Sequence, residues 1–304
     1  MEKRWVLKQI PDNELVNDLA GALNVDKNIG SLSVQRGINS YEEAHVFFRP
    51  KLSMLHDPFL MKDMDKAVAR IEQAILNNQK ILVYGDYDVD GTTAVALVYT
   101  FFNEIYPNLD FYIPDRYSEG YGISYAGIDF AHEQGVSLII ALDCGIKAIE
   151  KINYAKERGI DFIIGDHHRP GDCLPEAAAV LDAKREDCTY PYKELSGCGV
   201  GFKLIQAYSQ NNNIPFSQLE KYLDLVVVSI ASDIVPITGE NRILAYFGLK
   251  LINSNPRPGF EAILKYSNIT RHVDQTNPQN FYFNRELTIS DLVFLIGPRI
   301  NAAG

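Results

Sequence analysis

The sequence predicts an α/β fold: a parallel, doubly wound five-stranded sheet flanked by helices, with an N-terminal helical preface and a mostly helical C-terminal part. Three observations predict it. Five short apolar runs recur at 80–86, 109–113, 136–143, 160–166 and 177–182. Amphipathic segments separate most of them, near 92–105, 124–135 and 147–158. Unbroken apolar strands alternating with helices of about 10–15 residues mark a parallel sheet covered on both faces. Beyond about residue 199 the pattern turns helical, at 200–211, 217–231, 240–253, 258–266 and 288–296.

Taken in order, residues 1 to about 60 read as two or three small helices. Leu15, Leu19 and Leu23 lie at helical spacing, Tyr41–Phe48 forms a second group, and Pro50 and Pro58 punctuate the end. This stretch reads as a preface without a core of its own, and residues 61–304 as one large domain. Val68, Ile71 and Ile75 then share one helical face behind N-terminal aspartates. The polar stretch at about 268–286 has little pattern and reads as a mobile loop. The last residues, Arg299-Ile-Asn-Ala-Ala-Gly304, have no helix or tail after them, and the chain reads as a fragment of something longer.

Composition bounds the function. With 46% hydrophobic and 22% charged residues over 304 positions, the chain has the profile of a soluble globular protein. No apolar run reaches the roughly 18 residues of a membrane span, and Met1-Glu-Lys-Arg-Trp5 leads into no signal-type stretch. The four cysteines, Cys144, Cys173, Cys188 and Cys198, form no C-x-x-C pair, so a disulfide framework or zinc knuckle is not expected and a reducing cytoplasm is. A net charge of −10 argues against a generally basic nucleic-acid coat while leaving room for a local basic groove.

The chemistry gathers at strand ends. Strand one runs into Asp86-Tyr-Asp88-Val-Asp90-Gly91, strand three into Asp143-Cys-Gly145, and strand four into Asp166-His167-His168. Ligands of open parallel sheets bind outside the carboxyl ends of the strands, so residues distant in sequence converge on one crevice. Asp233, after an apolar helix, can approach from the side. Carboxylates gathered without neutralisation raise one another's pKa, and divalent cations remove that penalty. Carboxylate and imidazole without thiolate suit Mn²⁺ or Mg²⁺. Two such ions about 3.5–4 Å apart would activate water and stabilise the leaving oxygen of a phosphoester. Any single strand-end aspartate can equally be a helix cap or turn former. Asp86 is either a ligand or a group that orients the others. A calcium loop is set aside because no Glu follows at the required offset.

Together Tyr84-Gly-Asp-Tyr-Asp-Val-Asp-Gly91, Asp143-Cys-Gly145, Gly165-Asp-His-His168 and Ser232-Asp-Ile-Val-Pro236 resemble, in this order, the motifs of the DHH phosphoesterase superfamily, and most of all its RecJ branch of single-strand-specific exonucleases. Leu55–Met64, Arg116–Gly122, Ser196–Lys203 and Gly297–Gly304 are similar to further segments of that branch. The resemblance implies a two-metal, Mn²⁺- or Mg²⁺-dependent enzyme that removes 5′-mononucleotides from the 5′ end of single-stranded DNA, in repair and recombination. It implies Asp88, Asp90, Asp143, His167 and Asp233 as metal ligands, with Asp143 bridging the ions. His168, Asp143 and Asp90 would be catalytic, His168 sitting against the scissile phosphate. The resemblance implies that a long helix and a second, DHH-associated domain would follow in family enzymes, outside these 304 residues.

Other segments carry two readings each. Gly197-Cys-Gly199-Val-Gly201 can cradle phosphate at a helix start or simply turn tightly. Arg116 and Tyr121 can pair with phosphate and stack on a base, or form a salt-bridged loop with a packed tyrosine. The family pattern points Arg299 and Asn301 at the sugar-phosphate backbone. Cys144 and Cys198 read as small buried hydrophobes. The competing functions are a small-molecule phosphoesterase on the same core (a pyrophosphatase, or a hydrolase of oligonucleotides or cyclic dinucleotides), and a non-catalytic scaffold, whose mark would be replaced ligands. Every ligand position is present.

Overall fold

The computed structural model describes Arg4, residues 6–273 and residues 281–303. The chain forms two compact units, Met1–Leu55 and His56–Gly304. In the first, helices α1 (Asn13–Leu23), α2 (Lys27–Val34) and α3 (Tyr41–Phe48) start at Asp12, Asp26 and Ser40, whose side chains accept hydrogen bonds from the first free amides. Buried Leu19, Ile38 and Ala44, flanked by Leu23, Val34 and Phe47, give it a small core. The coreless preface expected from the sequence is corrected here: the apolar residues are few, but Ile38 lies in the connection and completes the cluster.

The second unit contains the sheet. In order come α4 (Met64–Leu76), β1 (Lys80–Gly85), α5 (Val89–Asn103), β2 (Leu109–Tyr112), α6 (Tyr125–Glu133), β3 (Val136–Leu142), α7 (Ile149–Glu157), β4 (Asp161–Gly165) and β5 (Ala179–Leu181). All five strands pair in parallel in the order β2-β1-β3-β4-β5. Strand residues alternate between faces. Leu82, Tyr84, Ile139, Ala141, Phe162 and Ile164 pack with Ile128 and Ala131 of α6 and Ile152 and Ala155 of α7. Helix α5, together with α8 (Gly197–Asn211), lies against the other face. Each fully buried Ile or Leu in such a core contributes about 1.5–3 kcal/mol. The predicted parallel five-stranded, doubly wound sheet is therefore the fold.

Beyond it lie α9 (Leu223–Ser232), α10 (Gly239–Ser254) and α11 (Pro258–Lys265). The stretch read as a loop instead pairs at its ends: β6 (Arg271–Val273) runs antiparallel to β7 (Phe281–Phe283). Its middle, 274–280, lies outside the described residues. The final helical run, from Ile289, continues to Asn301, further than the apolar pattern indicated. Among the described residues no helix is long and apolar enough to cross a membrane.

Candidate metal centre

The register aligns Gly85 with Leu142, Leu142 with Gly165, and Gly165 with Leu181 across four neighbouring strands. The next residue on each strand is an aspartate: Asp86, Asp143, Asp166 and Asp182, all at most 1% exposed. Two ladder bonds continue into this row, from Asp143 N to Gly165 O and from Asp166 N to Leu181 O, each 2.9 Å. The row lies at the carboxyl ends and spans β1 and β3, where the strand order reverses.

The four carboxylates are satisfied very differently. Asp86 accepts from the amides of Tyr87 (2.7 Å) and Gly122 (2.6 Å). Burial still pushes it up to about 6 against that backbone support. Asp166 accepts from the amides of Ile146, His167 and His168 and from His168 Nδ1 at 2.7 Å. Burial raises its pKa, but the His168 hydrogen bond and charge outweigh that and hold the carboxyl below its ordinary value. Asp182 accepts from Lys184 N at 2.7 Å, while its second oxygen is buried without a partner. Burial pushes it up to about 7. Among the described residues Asp143 has no hydrogen-bond partner on either oxygen. Burial first, then the charges of Asp90, Asp88, Asp166 and Asp233, drive its carboxyl well above the usual range. Its backbone sits in the left-handed region, φ 59°, which an aspartate tolerates better than most residues.

His167 faces the same point. Its Nε2 lies 3.1 Å from Asp143 Oδ1, 3.6 Å from Asp233 Oδ2 and 3.7 Å from Asp90 Oδ2. Neither ring nitrogen makes a hydrogen bond with the described residues, so the approach to Asp143 is close without being aligned as one. Burial lowers the His167 pKa and raises that of Asp90, favouring the neutral imidazole. Asp90, in the first turn of α5, accepts from Gly197 N (2.6 Å), Cys198 N (2.8 Å) and Ser229 Oγ (2.7 Å). Asp233 closes the side at the C-terminal end of α9. Burial and the charges of Asp90 and Asp88 push it up to about 7. Two triads of donor atoms result, Asp143–His167–His168 and Asp90–His167–Asp233, each within 4.8 Å.

A buried carboxylate and imidazole without protein partners cost several kcal/mol unless something else pairs them. Oxygen and imidazole donors without thiolate fit a hard divalent cation. Cys144 and Cys198 are buried and contribute no donor to either triad.

The family model for the DHH family, N-terminal domain, matches residues 80–230, the segment that contains the whole aspartate row and both histidines. The chain belongs to the DHH family. It is 38% identical over 301 residues to the single-stranded-DNA-specific exonuclease RecJ of Bacillus subtilis, covering 99% of this chain and 36% of that protein. It is 34% identical to the enzyme of the same name from Escherichia coli, covering 90% and 46%. The crystal structure of Thermus thermophilus RecJ in complex with Mn²⁺ superposes with a TM-score of 0.77 at 26% identity, over 99% of this chain and 40% of that one. The DHH-family chain thus spans less than half the length of these relatives.

The remaining sequence-derived candidates in this DHH-family chain make contacts of three kinds. Asp88 caps α5 through Gly91 N at 2.9 Å and accepts from Tyr121 Oη at 2.8 Å. It belongs to neither triad. Arg116 donates to Asn301 O (2.8 Å) and Asn301 Oδ1 (2.9 Å), so these two candidates hold each other. Arg299 is exposed and donates to Leu295 O at 2.7 Å.

The glycine segment requires a correction. Gly197 and Gly199 stand inside the first turn of α8, not in a turn before it. The amides of Gly197 and Cys198 point at Asp90, and that of Gly199 at Ser196 Oγ. The helix N-terminus expected to cradle phosphate is already capped by protein oxygens. Glycine is required at 197 because a Cβ there would lie 2.5 Å from Asp143 Cβ. Sequence reading missed Asp182, although it ends an apolar run as the other three aspartates do. It also missed Ser229, 139 positions from Asp90, which no local pattern reveals. Beside the site an open cleft of about 920 Å³ is lined by Arg169, Lys184, Arg185 and Lys193 and by as many carboxylates, Asp172, Glu186, Asp187 and Glu194.

Proposed function

We propose that residues 61–304 form the catalytic domain of a two-metal 5′→3′ exonuclease, which hydrolyses phosphodiester bonds of single-stranded DNA and releases 5′-mononucleotides. The observation that carries this reading is the orphaned, buried pair of Asp143 and His167 at the carboxyl ends of the sheet. The relatives named for single-stranded-DNA-specific exonuclease activity, and the Mn²⁺ complex of one of them, support it.

Asp143, with both oxygens unspent, would bridge two Mn²⁺ or Mg²⁺ ions. Asp88, Asp90, His167 and Asp233 would complete their ligands. Bound ions would supply an activated water and charge stabilisation for the leaving oxygen. Asp86 has both oxygens on backbone amides and orients the loop between β1 and α5. Asp166 fixes His168 through Nδ1 and raises its pKa, leaving Nε2 as a positioned donor for a phosphate oxygen. Single-stranded DNA is the proposed partner, with a cytoplasmic location and contact with repair or recombination proteins.

A second reading keeps the core but shortens the substrate. One Arg116 nitrogen is spent on Asn301, and the net charge is −10. Both favour hydrolysis of short oligonucleotides over a firm grip on long strands. Digestion of end-labelled single- and double-stranded DNA of graded length, with and without Mn²⁺, separates the two. Release of mononucleotides from long single strands supports the exonuclease. Activity confined to substrates of a few nucleotides supports the second reading. Hydrolysis that survives exhaustive chelation overturns both.

A further inference from the structure

We infer that Tyr121 is a positioning residue that orients Asp88, and that an aromatic–guanidinium chain running to Asn301 holds it in place. This rests on the metal-dependent reading of the site. Tyr121 lies between Gly120 and Gly122, both in the left-handed region at φ 78° and 82°, which allows the loop after β2 to double back. That loop grips the aspartate segment at two points. Gly122 N donates to Asp86 Oδ2 at 2.6 Å, and Tyr121 Oη donates to Asp88 Oδ2 at 2.8 Å. It is anchored from beneath, because Tyr84 Oη donates to Gly122 O at 3.0 Å.

Tyr121 is in turn braced. Its ring packs edge-on against Tyr87 at 5.5 Å between centroids. The Arg116 guanidinium sits 4.4 Å over the Tyr87 ring and donates to Asn301 through both its backbone and side-chain oxygens. Asp88 needs this support. As a helix cap its Oδ1 is fixed by Gly91 N, but rotation about that one contact leaves Oδ2 free to swing. The tyrosine hydroxyl removes the freedom and leaves lone pairs on both oxygens. The two aromatic and two polar residues therefore connect a proposed ligand to the final helical run, and none of the four needs to touch substrate to matter.

The test is Tyr121→Phe, which deletes the hydroxyl and keeps the ring against Tyr87. Mn²⁺ affinity is measured from the free-ion electron paramagnetic resonance signal in the 304-residue chain, beside kcat and KM on a single-stranded oligonucleotide. Loss of a group that orients a metal ligand costs about 10–100-fold in affinity or activity. The expected result is Mn²⁺ binding weaker by about tenfold, kcat lower by a similar factor, and an unchanged melting temperature without metal. A KM-only defect would return Tyr121 to substrate stacking and overturn the inference. So would unchanged Mn²⁺ binding, or tighter binding, which would make the hydroxyl a competitor of the ion. Arg116→Met should move Mn²⁺ affinity in the same direction by a smaller factor, and no change there removes the outer part of the chain. If the unsubstituted protein binds no Mn²⁺, the proposed function falls with the inference. If only the Tyr121→Phe comparison fails, the function stands.

Discussion

Two clusters of buried charge in this molecule have opposite fates. On α8, Lys203 is fully buried and donates to His56 O at 2.7 Å and Glu240 Oε1 at 3.1 Å. Glu240 also accepts from His56 N and Tyr190 Oη. Every charge there has its answer inside the fold. At the sheet's carboxyl edge, Asp143 and His167 are nearly as buried, yet four of their polar atoms have no partner among the described residues. Burial of charge is common to both, so burial does not identify function. What distinguishes them is completeness: the closed network is architecture, and the open one is the proposed metal site.

The largest effects should separate the two clusters. Asp143→Ala removes the carboxylate that Asp90, Asp88, Asp166 and Asp233 all repel. If the proposed function holds, it should lower the rate of single-strand hydrolysis by more than about 10³-fold while leaving the metal-free protein as stable or more so. Lys203→Met should do the reverse. It leaves Glu240 buried without its cation, which costs about 3–5 kcal/mol, while Mn²⁺ affinity of the folded fraction stays unchanged. Urea unfolding and a nuclease assay on both variants make the comparison. Equal loss of stability in the two would end the distinction between open and closed clusters.

How much of this was legible beforehand follows the range of each interaction. The five strands and the helices of the sheet layer were visible because apolar runs and amphipathic periods are local signals. The aspartates after β1, β3 and β4 were visible because each interrupts an apolar run abruptly. Two helix starts, those of α5 and α8, were read late. Asp90 and Gly91, and Gly197 to Gly199, have poor helix propensity, and tertiary contacts override it: Asp90 is held by the start of α8, and Gly197 yields space to Asp143. The Arg116–Asn301 pair spans 185 positions and the Lys203–Glu240 pair 37. A lysine in a helix reads as solvent-exposed until a partner from another element is in place. The antiparallel pairing of Arg271–Val273 with Phe281–Phe283 was hidden for the opposite reason, its strands being too short to show alternation.

A subtler member of the aspartate row sharpens the comparison next. Asp182 is half-answered: one oxygen accepts from Lys184 N and the other has no partner. Burial raises its pKa from 3.8 to about 7. A carboxyl raised in the folded state holds its proton there at pH values where the unfolded chain has lost it. Its contribution is therefore favourable below about pH 4 and is lost as pH rises through 7. Asp182→Asn should stabilise the metal-free protein by about 2 kcal/mol at pH 8 and change little at pH 4. Denaturant titrations at both values check the sign. A destabilised variant at pH 8 would mean that the charged Asp182 has a cation partner and belongs with the closed networks.

The smallest effect concerns strain beside the open cluster. Ile234 follows Asp233 and holds φ at 58° while 79% exposed. A β-branched residue in the left-handed region costs about 1–2 kcal/mol, and an exposed side chain recovers little of that by burial. The closed network shows no such cost among its own residues: Lys203, Glu240, Tyr190 and His56 are all absent from the left-handed positions. Ile234→Gly should therefore stabilise the metal-free protein by about 1 kcal/mol, since glycine adopts this conformation freely. If the turn exists to aim Asp233 at His167, 3.6 Å away, Mn²⁺ affinity should survive in the glycine variant, because the backbone geometry is kept. The proline variant forbids that φ and should lose both stability and Mn²⁺ binding. Thermal melts and Mn²⁺ titrations of the two variants decide it, and a glycine variant that is less stable than the parent would show that the isoleucine side chain is packed for stability rather than tolerated for the site.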